Sequence, residues 1–309
     1  MRVAYFGPAG TFTEEALLTQ ADLAAGDRTP FAAVPEVIAA VARGDADGGV
    51  VPIENMIEGS VSVTLDTLAF DSDLLIQREI DLPVSLNLSV RPGVALADVR
   101  TVVSFPHALA QCRGWLAKKV PGAETRASHS TSDAAREVSK SKRTDMAAIC
   151  NALAAELYGL EVLAREIEDH PENETRFVLV GRGVPAPTGH DKTSIVCFQR
   201  EDQPGSLLSI LQEFAARAIN LTKLESRPTK RGLGDYCFFV DCEGHVSDEV
   251  VADALRNLAA KQAEVKFLGS YPVGGPVEAG AARRRAAGRA WNKATVRVES
   301  LRSQVRETE

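Results

Sequence analysis

A hydroxyl, a guanidinium and an aromatic ring stand in consecutive positions at Thr175, Arg176 and Phe177, where an apolar run of strand length begins. Side chains alternate along a strand, so Thr175 and Phe177 are expected on one face and Arg176 on the other. Such a stretch can donate a proton or a hydrogen bond, hold a carboxylate and cover an apolar ring. An ordinary strand edge has the same composition, so the other polar motifs of the chain must decide between the two interpretations.

The first of these motifs is a glycine-containing turn after the predicted strand 2–6. Thr11 and Glu14 fit a capping box, in which a hydroxyl and a carboxylate satisfy opposed amides at a helix N-terminus. Gly7 and Gly10 let the backbone approach a ligand closely. A strand, a glycine turn and a helix N-terminus predict an anion site, with a plain βα turn as the alternative. The spacing is not that of a dinucleotide fingerprint, and the Lys of a phosphate loop is missing.

Two further predicted strands end in polar residues. Glu54 and Asn55 follow the buried strand 49–53, at the strand end where open α/β sheets place ligands. We interpret Glu54 as a structural carboxylate that holds loop amides, and Asn55 as a ligand contact. Ser104 follows the strand 99–103 and is expected to cap the next helix beside a further anion site.

The helix predicted after Ser104 begins near Pro106 and carries Gln111 one to two turns later. His107 has no carboxylate close to it in sequence, so we interpret it as a surface histidine rather than as a base. Residues 130–133 form another polar stretch, which opens a further amphipathic helix.

The order of these elements predicts the domain organisation. Strands and helices alternate through the first 182 residues, which predicts an α/β fold with largely parallel sheets. The strand pattern assigns residues 1–80 and 166–182 to one lobe and residues 81–165 to another, with a cleft between them.

The C-terminal part of the sequence has a different pattern. Residues 183–189 are a linker by composition, and residues 191–273 follow the order βαββαβ of ferredoxin-like α+β domains. Residues 274–309 are basic, and we interpret them as a solvated tail, with a helix that forms on contact as the alternative.

Composition excludes several function classes. The 309 residues carry a net charge of −7, and the tail holds eight Arg or Lys against four Glu, so the remainder is near −11. An acidic body argues against nucleic acid as a partner, and no apolar run is long enough for a membrane span. The five cysteines show no C-x-x-C pair and the N-terminus shows no signal-peptide pattern, which favours a reduced, cytoplasmic protein. The scattered histidines predict no metal site.

Together these segments resemble prephenate dehydratase with a C-terminal ACT regulatory domain, over residues 1–182 and 191–273 but not over the tail. In the catalytic part the resemblance rests on Gly7-Pro8-Ala9-Gly10-Thr11-Phe12-Thr13-Glu14, Val51-Pro52-Ile53-Glu54-Asn55 with Glu58-Gly59-Ser60, Ser104-Phe105-Pro106 with Gln111-Cys112, Ser130-Thr131-Ser132, and Thr175-Arg176-Phe177. In the regulatory part it rests on Gln203-Pro204-Gly205-Ser206-Leu207 and Glu225-Ser226-Arg227-Pro228. Several short motifs in the family's order are far more specific than any one of them.

The resemblance implies a two-lobed catalytic module like a type II periplasmic binding protein, followed by a ferredoxin-like ACT domain. It implies cofactor-free conversion of prephenate to phenylpyruvate, water and carbon dioxide, in phenylalanine biosynthesis. Thr175 would act on the leaving group, with Asn55, Ser104 and Gln111 also in the catalytic site. The residues implied in substrate binding are Arg176, Phe177, Thr11, Thr13, Ser130 and Thr131.

The ACT domain implies allosteric regulation by L-phenylalanine at a subunit interface, in a homodimer or in a tetramer built as a dimer of dimers. The implied effector residues are Pro204, Gly205, Ser206, Leu207, Asn220, Leu221, Glu225, Ser226, Arg227 and Pro228. Two positions depart from the family pattern. Met56 stands where a small hydroxyl residue is common, which puts a substrate contact in doubt. Ser206 stands where Ala is usual, which puts effector affinity and choice in doubt.

Three other interpretations stay open. The protein could be an arogenate dehydratase, acting on the amino analogue of prephenate. It could be a noncatalytic amino-acid or solute sensor, because two lobes and a sensing domain suit that role as well. It could also be a regulatory partner that acts through its basic tail. The hydroxyl of Thr175 and the amides of Asn55 and Gln111 favour catalysis.

Overall fold

The computed structural model of the chain describes residues 1–199, 203–230, 232, 235–274 and 281–304. The strands in chain order are β1 (Arg2–Phe6), β2 (Asp27–Phe31), β3 (Gly48–Asn55), β4 (Gly59–Ser60), β5 (Leu75–Pro83), β6 (Asn87–Val90), β7 (Thr101–Ser104), β8 (Glu124–Ala127), β9 (Met146–Cys150), β10 (Glu161–Ala164), β11 (Glu174–Gly181), β12 (Asp191–Gln199), β13 (Leu221–Pro228), β14 (Tyr236–Glu243) and β15 (Ala263–Pro272). The α-helices are α1 (Phe12–Leu18), α2 (Ala21–Ala24), α3 (Val34–Arg43), α4 (Ser62–Asp66), α5 (Pro106–Gln111), α6 (Arg113–Lys119), α7 (Thr131–Lys140), α8 (Ala152–Leu157), α9 (Ser206–Ala215), α10 (Glu249–Asn257) and α11 (Ala281–Arg302).

The chain forms two compact units. The first unit comprises Met1–Thr67 and Ile80–Gly181, and the second comprises Leu68–Glu79 and the described parts of Arg182–Glu309. The boundary near residue 79 falls inside β5, so a short stretch of the N-terminal half belongs to the second unit.

The first sheet has the strand order β2-β1-β3-β11-β5, with β4 beside β3. We call the part of the first unit built on it lobe one. β1 lies parallel to β2 and β3, but β11 returns antiparallel to β3. This return brings Thr175 opposite Asn55 and Arg176 opposite Glu54. Register between strands distant in sequence thus assembles the polar groups at one end of the sheet.

The second sheet, which defines lobe two, has the order β10-β6-β9-β7-β8. β7 is parallel to β8 and β9, whereas β6 is antiparallel to β9 and β10. The prediction of largely parallel sheets was therefore wrong, because the strands at both crossings between the lobes enter their sheets in the reverse direction. An apolar core that includes Leu86, Leu88 and Ile149 holds this lobe together.

Helix ends match the sequence signals in part. Thr11 and Ser130 cap α1 and α7 by accepting the N–H groups of Glu14 and Asp133. The Glu14 carboxylate accepts the N–H of Gly10 at 2.6 Å, one residue before the position that a capping box prescribes.

The prediction that Ser104 caps a helix was wrong. The residue at the N-terminus of α5 is Phe105, whose side chain makes no capping hydrogen bond. The buried Ser104 hydroxyl instead donates to the carbonyl of Ile149 on the neighbouring strand at 2.7 Å.

The second unit contains the predicted βαββαβ fold. Its sheet has the order β13-β14-β12-β15 with every pairing antiparallel, and its core includes Ile195, Phe214 and Val240. The ferredoxin-like architecture is confirmed. Residues 200–202, before α9, and residues 231, 233 and 234, between β13 and β14, lie outside the described residues.

Residues Leu68–Glu79 are built into this second unit by several contacts. Lys192 Nζ on β12 lies 2.7 Å from Glu79 Oε2, with side chains only 5% and 1% exposed. The ring of Phe70 packs edge-on against Phe198, with ring centres 6.0 Å apart. At Gly269 a Cβ atom would come within 2.5 Å of the Ile76 carbonyl oxygen, so only glycine fits there.

The C-terminal segment forms helix α11, whereas the sequence interpretation favoured a solvated tail. The described side chains near its end are largely exposed, Val296, Val298 and Leu301 among them. No helix among the described residues is both long and apolar enough to cross a bilayer.

Candidate active site

The hydroxyl of Thr175 lies at the entrance of β11, beside the last residue of β3. Asn55 Nδ2 is 2.8 Å from Thr175 Oγ1, 3.0 Å from Asn173 Oδ1 and 3.3 Å from the carbonyl oxygen of Glu174. The antiparallel pairing of β3 with β11 sets this arrangement, because it places residues 55 and 175 directly opposite each other.

The orientation of the Asn55 carboxamide is fixed by its oxygen. Oδ1 accepts the backbone N–H groups of Ile57 and Glu58, both at 3.0 Å. An amide nitrogen could not occupy that position, because it would meet two donors. Nδ2 must therefore face Thr175 Oγ1 as a donor. The hydroxyl accepts this hydrogen bond, so its own hydrogen is available for a second group.

The hydrogen bonds continue from Asn55 into lobe two. Asn173 Nδ2 donates to Gln111 Oε1 at 3.2 Å, and Gln111 Nε2 donates to Glu58 Oε1 at 3.2 Å. The other oxygen of Glu58 lies 2.6 Å from His107 Nδ1. Asn55 and Glu58 belong to lobe one, whereas Gln111 and His107 lie on α5 of lobe two. The chain of hydrogen bonds therefore joins the two lobes.

Arg176 points away from Thr175 and pairs with carboxylates. Its Nη1 lies 3.0 Å from Glu54 Oε2, and its Nε lies 3.6 Å from Asp81 Oδ1. All three side chains are roughly one-third exposed. The structural role expected for Glu54 is seen here as an ion pair. The guanidinium predicted to bind substrate instead has two carboxylate partners of its own.

Phe177 requires a correction. Its ring is 2% exposed and belongs to the core of lobe one with Tyr5 and Leu17. A side chain enclosed in this way supports the strand and offers no surface to a ligand. The pairing of β11 with β3 shifts register between Arg176 and Phe177.

The remaining predicted site residues lie in two places. Thr11 and Thr13 are buried at the start of α1, where the Thr11 hydroxyl donates to the Phe6 carbonyl at 3.1 Å. Ser130 and the buried Thr131 lie at the start of α7, in lobe two. The structure does not bring any of these four into the hydrogen-bond chain at Thr175, and the same holds for Ser104.

These two helix starts contribute to a second set of contacts between the lobes. Ser132 Oγ donates to the Ala9 carbonyl, which also accepts from Tyr158 Oη at 3.2 Å. Asn151 Nδ2 donates to Glu15 Oε2 at 2.6 Å. Burial raises the pKa of the Glu15 carboxyl above its usual value, and the hydrogen bond from Asn151 opposes that rise.

Sequence reasoning missed Asn173, Glu58 and His107 as members of the site. His107 is exposed, as the interpretation of a surface histidine expected, and the carboxylate beside it comes from Glu58, 49 residues earlier in the chain. Glu58 stood in one of the motifs that carry the resemblance, and Asn173 had a local signal. It is an amide two residues before Thr175, and its side chain is nevertheless buried at 1% exposure.

The second unit has a cavity of about 510 Å³ beside the start of α9. Four of the predicted effector residues line it, namely Gly205, Ser206, Leu207 and Ser226. The structure does not place Pro204, Asn220, Leu221, Glu225, Arg227 or Pro228 in its lining. Gly205 has φ +91°, a conformation that glycine adopts without strain, and Ser206 Oγ donates to the Gln203 carbonyl at 2.8 Å.

Comparisons with known proteins agree with this architecture. The family described as prephenate dehydratase matches residues 3–184, and the family described as ACT domain matches residues 193–260. A prephenate dehydratase from Mycolicibacterium vanbaalenii is 49% identical over 292 residues, which cover 90% of this chain and 93% of that protein.

Two solved structures match most of this chain. Prephenate dehydratase from Arthrobacter aurescens in complex with L-Phe has a TM-score of 0.88 at 39% identity, covering 98% of this chain and 100% of that one. A protein described as GqqA, a novel type of quorum quenching acylase, has a TM-score of 0.79 at 30% identity, covering 89% and 98%. With the family matched over more than half of its length and a near-complete relative at 49% identity, this chain belongs to the prephenate dehydratase family and carries an ACT domain after its dehydratase part.

Proposed function

We propose that the group around Thr175 catalyses the reaction of the family, in which prephenate loses carbon dioxide and water to give phenylpyruvate. The bond to the departing carboxylate breaks, its electron pair completes the aromatic ring, and the ring hydroxyl leaves with a proton as water. Aromaticity makes the reaction downhill and no electron acceptor is needed. The barrier lies in expelling hydroxide, so a donor at that oxygen is the main requirement.

The observation that carries this proposal is the direction of the hydrogen bond between Asn55 and Thr175. Because Asn55 Nδ2 donates to Thr175 Oγ1, the threonine hydrogen can point to the leaving oxygen of the substrate. The amide also withdraws electron density from the hydroxyl, which strengthens it as a donor. A threonine hydroxyl is too weak an acid to remain ionised, so it acts as a preorganised hydrogen-bond donor and water supplies the net proton.

The remaining residue roles in the proposal follow their positions. Gln111 belongs to the hydrogen-bond chain and forms the wall of the site on lobe two. Ser104 is the last residue of β7, just before α5, and its hydrogen bond to Ile149 joins this strand end to β9. Thr11, Thr13, Ser130 and Thr131 lie at the helix starts where the two lobes meet. The Thr11 and Ser130 hydroxyls already donate to Phe6 and Asp133, so the backbone N–H groups of these helix starts are assigned to the substrate carboxylates. Arg176 stabilises the strand pair through Glu54 more than it binds substrate.

The test is turnover of prephenate, followed by the absorbance of phenylpyruvate. Thr175→Ala is expected to lower kcat by about 10²–10⁴-fold with KM nearly unchanged, because the contact matters mainly in the transition state. Thr175→Ser keeps the hydroxyl and is the matched control, with kcat within about tenfold of the wild type. Near wild-type kcat in Thr175→Ala would remove Thr175 from the mechanism.

The same assay separates the other interpretations. Arogenate in place of prephenate tests the amino analogue, and binding of prephenate without turnover would indicate a sensor. An acylase would need a nucleophile activated by a base. The described partner of Thr175 is an amide donor, which cannot take up a proton, so the likeness to the quorum quenching acylase is not extended to activity.

Regulation by L-phenylalanine is the second part of the proposal. The cavity beside α9 has room for an amino acid, and the relative from Arthrobacter aurescens was crystallised with L-Phe. Backbone amides at Gly205 are suited to a carboxylate, and the leucine and phenylalanine side chains of the lining are suited to a ring. Exposed apolar side chains at Leu208, Leu224 and Tyr236 favour a homo-oligomer that covers this face. Five free, buried cysteines favour a cytoplasmic location.

Calorimetry on the full chain tests the effector site. Ser226→Leu fills the cavity and is expected to weaken L-phenylalanine binding by at least about tenfold. Thr222→Leu lies on the same strand outside the cavity lining and is the matched control. Light scattering with and without L-phenylalanine measures the oligomer. A monomer under both conditions, or equal binding by the two variants, would contradict this assignment.

A further inference from the structure

Asn173 occupies the middle of the hydrogen-bond chain without facing the reacting groups itself. Its side chain is 1% exposed, its Oδ1 accepts from Asn55 at 3.0 Å, and its Nδ2 donates to Gln111 at 3.2 Å. We infer that Asn173 is a positioning residue, which orients the Asn55 and Gln111 carboxamides and through Asn55 the hydroxyl of Thr175. This inference rests on the role proposed above for Thr175.

The two ends of the chain allow only one orientation of Asn173. At one end Asn55 Oδ1 is held by two backbone N–H groups, so its nitrogen faces Asn173. At the other end the Glu58 carboxylate can only accept, so Gln111 must turn its nitrogen to Glu58 and its oxygen to Asn173. Asn173 therefore presents its oxygen to lobe one and its nitrogen to lobe two. A side chain that can only accept cannot replace it.

The backbone around residue 173 is held independently of this side chain. The Asn173 N–H donates to the His170 carbonyl at 3.1 Å, and the Asn173 carbonyl accepts from the Val84 N–H at 2.8 Å. A substitution of the side chain keeps both bonds. Its effect should therefore fall on the two amides that Asn173 orients, and so on kcat more than on KM.

The replacement of Asn173 by Asp gives a specific test. An ionised carboxylate still accepts from Asn55 but repels the oxygen of Gln111. A protonated carboxyl restores the original pattern, since its O–H donates to Gln111 and its C=O accepts from Asn55. Burial raises the pKa of an acid placed there, which brings its protonation into an accessible pH range. Asn173→Asp is therefore expected to lose about 10–100-fold in kcat at pH 8 and to recover most of it near pH 5.

Two further variants make this pH dependence interpretable. Asn173→Ala loses both hydrogen bonds at every pH, so its kcat relative to the wild type should stay low and flat. Asn87→Asp introduces an acid at another buried asparagine, 2% exposed in β6, and its kcat ratio should not change with pH. Thermal melts at each pH confirm that every variant is folded. All ratios are taken against the wild type, which cancels the titration of the surrounding groups Glu58, His107, Asp169, His170, Glu172 and Glu174.

The outcomes separate this inference from the function on which it rests. Recovery of kcat at low pH in Asn173→Asp alone supports the positioning role. A flat ratio for that variant, or a kcat within about twofold of wild type in folded Asn173→Ala, overturns it. Thr175→Val is measured in parallel. If it keeps full turnover, the proposed role of Thr175 fails; if it loses turnover while the Asn173 variants do not, only the present inference fails.

Discussion

Arg176 and Glu54 face each other across β11 and β3 at 3.0 Å, in the register position next to the pair formed by Thr175 and Asn55. The ion pair and the Thr175 hydroxyl thus lie at neighbouring positions of one strand pair, with the charges on the side away from the hydroxyl. Because side chains alternate along the strand, the ion pair and the hydroxyl lie on opposite faces of β11.

The first prediction concerns this ion pair. Arg176→Gln should lower the free energy of unfolding by about 1–2 kcal/mol, because it leaves Glu54 and Asp81 without the guanidinium that they share. KM for prephenate should stay within about threefold of the wild type. Thermal melts and steady-state kinetics measure both quantities. Glu54→Gln combined with Arg176→Gln is the control, and a large rise in KM at unchanged stability would restore Arg176 as a substrate ligand.

The second prediction concerns the direction of the hydrogen bond at Thr175. Asn55→Asp keeps the acceptor for the backbone N–H groups of Ile57 and Glu58 but removes the donor to Thr175. The threonine hydrogen would then turn to the new carboxylate and away from the substrate. We expect kcat to fall roughly 10²-fold or more, and to fall further than in Asn55→Ala, where the hydroxyl stays free. If Asn55→Ala is the slower variant, the donor direction is not what matters.

The third prediction concerns the buried pair of Lys192 and Glu79. Lys192→Met removes the ammonium partner of a carboxylate that is only 1% exposed, so this variant alone should lose about 3–5 kcal/mol in the free energy of unfolding. The double variant Lys192→Met with Glu79→Leu should recover most of that loss, since a buried ion pair and an apolar pair are often similar in stability. Denaturant midpoints of the three proteins test this. Equal losses in the single and double variants would show that the charges are not coupled.

The fourth prediction concerns pH and Glu15. Burial raises its pKa in the folded state, so between the unfolded and folded pKa values the folded protein binds more protons. The contribution of the Glu15 carboxyl to the free energy of unfolding is therefore fully present at low pH and is lost as the pH rises through that interval. Glu15→Gln cannot ionise, and its melting temperature should rise relative to the wild type between pH 4 and pH 7. The exposed Glu36→Gln is the control, and a constant difference across the range would contradict the raised pKa.

Local patterns predicted the elements well where the signal is local. The strand 2–6, the cap at Thr11, the polar start of the helix after residue 130 and the βαββαβ order of residues 191–273 follow from alternation, polar caps and turn residues within a few positions. That Asn55 and Thr175 belong to one site was implied by the resemblance to the family, and each of the two residues stands at the end of a buried strand.

The parts that sequence patterns did not give depend on contacts between distant positions. Strand register and packing set the antiparallel return of β11, the partner of His107 and the enclosure of Phe177. Side-chain alternation within one strand carries no information about such contacts. Asn173 belongs to the same class. Its importance depends on Asn55 and Gln111, which come from two different lobes, and no spacing within its own segment shows that.

The placement of Leu68–Glu79 bears on how this protein could be divided. A polypeptide that stops after residue 181 would keep this segment but lose Lys192, Phe198 and the strand that carries Gly269. Glu79 would lose its ion pair with Lys192, and the segment's apolar residues would be open to self-association. The regulatory domain therefore cannot be removed by cutting the chain at a single point. A variant in which this domain is deleted or replaced must also carry substitutions in Leu68–Glu79. Otherwise the remaining dehydratase part will be prone to aggregate.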